Sequence, residues 1–154
     1  MVERKRTWRE VATAKVPENE GCVWTPVLDY LTPGRTYLLE VPQQPPPAGG
    51  AAEAQKWRPE SAGECTADGG SEVDRSEGLL VPGAAVGALI AKIGGGAADL
   101  TPDKDKLAVF AVGRYCVFTV DAAKTGSLYL GVNDTPKAAV QARGQLTVKL
   151  SVAL

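Results

Sequence analysis

Gln145-Leu146-Thr147-Val148-Lys149-Leu150-Ser151-Val152 alternates polar and apolar side chains without a break. Successive side chains of a β-strand point to opposite faces, so this stretch predicts a half-buried antiparallel strand. The same period recurs upstream. Leu128, Leu130 and Val132 alternate with Ser127, Tyr129 and Gly131 behind the turn signal Lys124-Thr125-Gly126, and Cys116, Phe118 and Val120 alternate after Gly113. Leu107 to Val112 is continuously apolar behind the charged turn 101–106, as suits a buried strand. Near the front, Tyr37, Leu39 and Val41 follow Thr32-Pro33-Gly34-Arg35, and Cys22 to Leu28 carries Trp24 ahead of a proline. Trp8 to Val16 is a weaker strand, placed first or at an edge.

Val81 to Ile93 reads either as a short buried helix closed by Gly94-Gly95-Gly96 or as a strand from about Gly87. The strand is preferred, because Pro82 and Gly83 punctuate its start and every neighbouring segment has strand character. About seven to nine short strands, with Gly/Pro turns and no long amphipathic helix, predict an all-β fold, a single antiparallel β-sandwich over residues 1–154. The interval 42–77 interrupts the pattern with Pro45-Pro46-Pro47-Ala48-Gly49-Gly50 and a polar stretch containing Trp57 and Cys65. Its prolines predict an extended, exposed insertion, long enough to be functional or disordered.

The composition closes off several functions. The 154 residues include no histidine, which removes Ser-His and Cys-His couples and HExxH zinc sites. A hydrophobic fraction of 44% is enough for a packed core and excludes disorder of the whole chain. Seventeen basic against 18 acidic side chains offer no field for nucleic acid, and Arg4-Lys5-Arg6 reads as a solvated terminus. Three widely spaced cysteines, Cys22, Cys65 and Cys116, predict free thiols in a reducing compartment. The first residues lack an apolar signal region and no apolar run of about 18 residues occurs, so a soluble protein without membrane insertion is expected. It would be made in the cytoplasm without a signal peptide, and release by lysis or a dedicated export machine would leave no mark in the sequence.

Candidate chemical motifs mostly fail. Gly94-Gly95-Gly96 lacks the GK[ST] and GxGxxG contexts of phosphate loops. Asp103-Lys104-Asp105-Lys106 lacks the glycine and distant glutamate of a calcium hand loop. Asp74 and Glu77 would be the acid and base of a carboxylate hydrolase, but they lie in a hydrophilic segment that does nothing to raise a carboxyl pKa. The expectation is that the protein is not an enzyme.

One ordered set of segments resembles a known family. Gly87-Ala88-Leu89-Ile90-Ala91-Lys92-Ile93-Gly94, Gly126-Ser127-Leu128-Tyr129-Leu130, Asn133-Asp134-Thr135-Pro136 and Gly144-Gln145-Leu146-Thr147-Val148 are similar in order and spacing to the galactophilic (PA-I-type) soluble bacterial lectins. Gln55-Lys56-Trp57 with Pro59, Gly78-Leu79-Leu80, and Trp24 ahead of Pro33-Gly34 add weaker support. The resemblance implies a jelly-roll-like sandwich in which a calcium ion bridges protein and galactose hydroxyls, without enzymatic activity. Calcium accepts six to eight oxygens at flexible geometry, so a sugar can complete its shell.

Carried over residue by residue, the family's metal-binding aspartate is Asp134. Ala138 stands at a threonine position and could offer its main-chain carbonyl, Gln141-Ala142 replaces an Asn-Asn pair, and a tyrosine position falls at Ala51. Sugar-contacting positions fall near Asp74 and Glu77. The metal set implied is therefore Asp134, Gln141 and the Ala138 carbonyl. Oxygen counting weighs against it: between Asn133 and Arg143 the side chains supply oxygens from Asn133, Asp134, Thr135 and Gln141 only, with Lys137 and Arg143 beside them. Calcium of the family type is thus doubtful, and a strand-ending turn is the preferred reading of Asn133-Asp134-Thr135-Pro136.

Trp57 would stack on a sugar or close the base of the 42–77 loop against the core, the second being preferred. Trp24 is expected in the core, whereas Tyr115 and Tyr129 fall on the polar phase of their strands, exposed or at an oligomer contact. The functional expectation is a non-enzymatic carbohydrate-binding sandwich, its ligand met by the 42–77 and 133–143 loops through Asp134, Asn133, Gln141, Trp57, Asp74 and Glu77. Homo-oligomerisation would add avidity. The alternative is a calcium-independent structural or adaptor module that packs on another protein chain in a larger assembly.

Overall fold

The computed structural model describes residues 7–19, 21–44, 50–70, 78–96 and 108–154. Within them the chain forms two four-stranded sheets whose paired strands are all antiparallel. The first sheet has the order β1 (Trp8–Val16), β8 (Leu146–Ala153), β3 (Thr36–Glu40), β6 (Tyr115–Thr119). The second has the order β2 (Thr25–Leu28), β7 (Leu128–Val132), β4 (Leu89–Ile93), β5 (Ala108–Ala111). One short helix, α1 (Pro136–Ala139), precedes β8. The β-sandwich expected from the alternation is the fold, and Trp8–Val16 lies at the end of its sheet as the weak pattern suggested.

Alternation in β8 determines its placement. Leu146, Val148 and Leu150 are at most 1% exposed, while Thr147 and Lys149 are half-buried on the other face. Each such aliphatic side chain contributes roughly 1.5–3 kcal/mol on burial. Across the interior they meet Leu89, Ala91 and Ile93 of β4 and Leu128, Leu130 and Val132 of β7, which share one face because Leu89 pairs with Val132, Ala91 with Leu130 and Ile93 with Leu128. The residues 89–93 form a strand, as preferred over the helix. The strand anticipated at 107–112 is β5, with Leu107 outside the described residues.

The outer face of the second sheet is also covered. All five residues of β4 are buried, including Lys92 at 0% exposure. The Lys92 ammonium donates to the Gly96 carbonyl at 2.5 Å and lies 5.0 Å from the Trp24 ring centroid and 4.8 Å from that of Tyr129. A buried cation needs such partners, and aromatic faces supply part of them. Tyr129, on the polar phase of β7, therefore serves as a wall for Lys92, whereas Tyr115 is 72% exposed.

Gly131 lets Trp24 approach β7 closely. A Cβ there would stand 2.6 Å from the Val23 carbonyl oxygen and 3.1 Å from the Trp24 ring. Because the nearest contact is backbone, Gly131→Ala is expected to destabilise the fold by about 2 kcal/mol in urea denaturation. An unchanged midpoint would show that the Trp24 segment can lift away at no cost.

The 42–77 interval departs from expectation. Its residues 45–49 and 71–77 lie outside the described set, but 55–59 is not an exposed loop. Gln55, Trp57 and Pro59 are buried and Lys56 and Arg58 exposed, a period-two pattern in which only Trp57 is conspicuously apolar. Trp57 exchanges two backbone hydrogen bonds with Cys65, and Arg58 exchanges two with Arg143. The Gln55 side chain accepts from Thr147 N and donates to the Thr147 and Pro42 carbonyls, stitching the segment to β8. Prolines and glycines at either end masked a core-packed centre.

Candidate functional site

At the end of β7 the chain continues pairing for one residue: Asn133 N donates to Ala88 O at 2.8 Å and Gly87 N donates to Asn133 O at 2.7 Å. The Asn133 side chain then turns inward at 0% exposure. Its Oδ1 accepts from Val81 N at 2.9 Å, and its Nδ2 donates to the carbonyls of Val81, Ala84 and Ala85 at 3.1, 3.2 and 3.1 Å. One amide thus organises the turn 81–85 that delivers the chain to β4. A neutral amide suits this place because it offers both donor and acceptor.

Asp134 is likewise 0% exposed. Its Oδ1 accepts from Ser61 Oγ at 2.7 Å and Thr135 N at 2.8 Å, and its Oδ2 accepts from Ser61 N at 3.1 Å. It pins the turn in which Gly63 N donates to Pro59 O, holding the inserted segment against the end of β7. Thr135 caps α1, its hydroxyl accepting from Ala138 N at 3.3 Å, and Pro136 fills the first turn, where its missing N–H is harmless. The turn expected at 133–136 is therefore extended by a helix too short to leave a periodic signature.

These bonds bear on calcium. The Asp134 carboxylate faces three N–H or O–H donors, and the Ala138 carbonyl accepts from Gln141 N at 3.0 Å. Calcium needs six to eight oxygens, and three of the roughly four lone-pair sites of this carboxylate already accept hydrogens. The residues as placed do not fit a calcium ion. Among the described residues no group of three or more Cys, Asp or Glu side chains comes together as a metal site.

Gln141 is on the surface instead. After α1 the segment 140–145 runs toward β8 along one wall of an open cleft of about 630 Å³, whose opposite wall is Pro17, Glu18 and Asn19 and whose rim includes Glu60. Gln145 Nε2 donates to Pro17 O at 2.8 Å, and Glu18 N donates to Thr25 Oγ1 at 3.0 Å, so the two walls are tied to each other and to β2. The lining includes the carboxylate residues Glu18 and Glu60, Arg143, and the amide residues Asn19, Gln141 and Gln145. Such a set can accept from and donate to several hydroxyl groups at once.

Of the residues singled out in the sequence, Gln141 lines the cleft, while Asn133, Asp134 and Trp57 are interior. Trp57 is 2% exposed and its indole N–H donates to Gly87 O at 2.9 Å, which is the loop-closing role. Asp74 and Glu77 lie outside the described residues. Glu18, Asn19, Glu60 and Gln145, which also line the cleft, carry no signal in the sequence, where Arg143 stands only as a charge near Asp134. These polar residues come from three separate segments, and no spacing connects them.

The cysteines are free. Burial pushes the Cys65 thiol above its ordinary value, partly offset by its contact with Trp57, and burial pushes Cys116 up as well. Both remain thiols at neutral pH, where a nucleophile would need the thiolate.

Among the described residues no helix is long and apolar enough to cross a membrane. No family model matches the chain. A search of the curated proteins finds no match either.

Proposed function

We propose that the chain is a non-enzymatic, calcium-independent carbohydrate-binding β-sandwich whose ligand lies in the cleft between residues 17–19, Glu60 and residues 140–145. The observation that carries this reading is that Glu18, Asn19, Glu60, Gln141, Arg143 and Gln145 all line one cleft of about 630 Å³, a volume suited to a mono- or disaccharide. The resemblance to galactophilic lectins lends a ligand class, galactose-type glycans, but Asp134 is not the anchor in this reading. Ligand contacts come from Gln141 and the other polar residues of the lining.

The test is an amide chemical-shift titration with methyl galactoside, followed by a glycan array. Saturable shifts confined to residues 17–19, 60 and 140–145 are expected, with about a tenfold loss of affinity in Gln141→Ala. No saturable binding to any saccharide would sink the proposal.

A second reading, a module for protein assembly, is favoured by β6. Among the described strands it ends its sheet, and its outer positions Tyr115 and Val117 are 72% and 50% exposed. An absence of glycan binding together with concentration-dependent self-association, lost in Val117→Lys, would favour that reading over the first.

A further inference from the structure

The cleft adjoins a second, smaller hollow of about 280 Å³, and the two share Arg143 and Gly144. The smaller hollow is lined by Lys56, Trp57, Arg58, Glu64, Arg143 and Gly144. Arg58 and Arg143 are directly opposed across an antiparallel bridge, Arg58 N donating to Arg143 O at 2.7 Å and Arg143 N donating to Arg58 O at 2.9 Å. Side chains directly opposite in such a pair share one face at close range, and like charges there repel.

Glu64 is the one carboxylate among the described residues of this lining, and it reaches a single nitrogen of Arg58 at 3.3 Å. Three cationic residues therefore share this lining with one carboxylate. An incoming oxyanion would relieve the repulsion between the two arginines of the bridge, and planar guanidinium forks match carboxylate or sulfate oxygens in pairs.

We propose that Arg58, Arg143 and Lys56 form a seat for an anionic substituent, so that the saccharide in the cleft is an acidic one bearing a carboxylate or sulfate. This deepens the cleft reading and rests on it for the sugar ring, while the seat itself depends only on the opposed arginines. The ring hydroxyls meet Glu18, Glu60, Gln141 and Gln145, and the anion lies past Arg143 between the two guanidiniums.

The experiment compares methyl galacturonide, a galactoside 6-sulfate, methyl galactoside and inorganic sulfate in amide titrations of the wild type and of the double variant Lys56→Gln/Arg58→Gln. The acidic sugars are expected to bind about tenfold more tightly than the neutral one, with the preference shrinking as sodium chloride rises from about 50 to about 300 mM. Which acidic sugar binds more tightly separates carboxylate from sulfate. In the double variant the preference disappears while neutral galactoside affinity stays unchanged and the melting temperature does not fall.

Equal affinity for neutral and acidic sugars in the wild type overturns this inference and leaves the cleft reading standing. If no sugar binds, the cleft reading and the acidic-saccharide assignment both fall. The anion seat is then judged by sulfate: shifts at the Arg58 and Arg143 amides, lost in the double variant, retain it, and their absence overturns it.

Discussion

Asn133→Asp is expected to lower stability by about 4 kcal/mol near neutral pH, more than Asn133→Ala, although the side chains of Asn and Asp have nearly the same shape. The reason lies in which atom faces which. Nδ2 of Asn133 donates to three carbonyls, those of Val81, Ala84 and Ala85, at 3.1–3.2 Å, in a site with 0% exposure. A carboxylate oxygen in its place would set a buried negative acceptor against three other acceptors. Asn133→Ala loses the same hydrogen bonds without adding the charge, and about 2–3 kcal/mol is expected for it.

Lowering the pH should restore part of the stability of Asn133→Asp, because a protonated carboxyl can donate to one of the three carbonyls. The sign follows from linkage: repulsion raises the folded-state pKa of the new carboxyl, so the charge penalty is full above that pKa, shrinks as the pH falls from it toward the ordinary carboxylate value, and is gone below the ordinary value. Urea denaturation across pH 4 to 7 would measure this. Should Asn133→Asp prove no worse than Asn133→Ala at pH 7, the turn 81–85 would not be organised through Nδ2.

Asp134→Ala is expected to destabilise the protein by about 3 kcal/mol, since it strands Ser61 N, Ser61 Oγ and Thr135 N together. Asp134→Asn should fall between wild type and Asp134→Ala, because one of its two terminal groups turns from acceptor into donor and opposes one of those hydrogens. Calcium chloride and chelator are each expected to leave the wild-type melting curve where it is, since a ligand that does not bind the native state cannot shift it. At a temperature where Asp134→Ala remains folded, saccharide affinity should survive. Loss of affinity in fully folded Asp134→Ala, or a calcium-dependent rise in melting temperature, would return Asp134 to the role of ligand anchor.

The two sites differ in how far they can be read along the chain. Asn133 and Asp134 stand out as a polar pair at a strand end, and a turn is the correct coarse reading. What the pair bonds to is not legible, because Ser61 is 73 residues away and Val81 is 52. The cleft was harder still. Glu18 follows the end of β1, Glu60 lies in the inserted segment and Gln145 immediately precedes β8, so nothing local distinguishes them from ordinary surface residues. Gln141 stands out only through the family resemblance, and it lies on an open wall of the cleft.

The inserted segment shows why local composition misled. Pro45-Pro46-Pro47 and the neighbouring glycines predict an exposed loop, yet Gln55 is buried against β8 and Trp57 is buried with its indole on Gly87, just ahead of β4. A buried glutamine reads as polar and exposed unless its partners are known, and here those are the main-chain groups of Thr147 and the Pro42 carbonyl.

The amino-acid sequence by itself determined the strands that alternate, β8 most clearly, and which of their faces turn inward, because period-two alternation is a local property; β4, buried on both faces, carries no such pattern. The sequence also removed imidazole chemistry by composition alone. Tertiary structure decided the rest: that Lys92 is buried between two aromatic rings, that Asp134 holds Ser61, and that residues from three separate segments share one cleft. Those outcomes depend on which sheet edges and loop ends come together, and hydrogen-bond partners many tens of residues apart are specified by the packing of the two sheets.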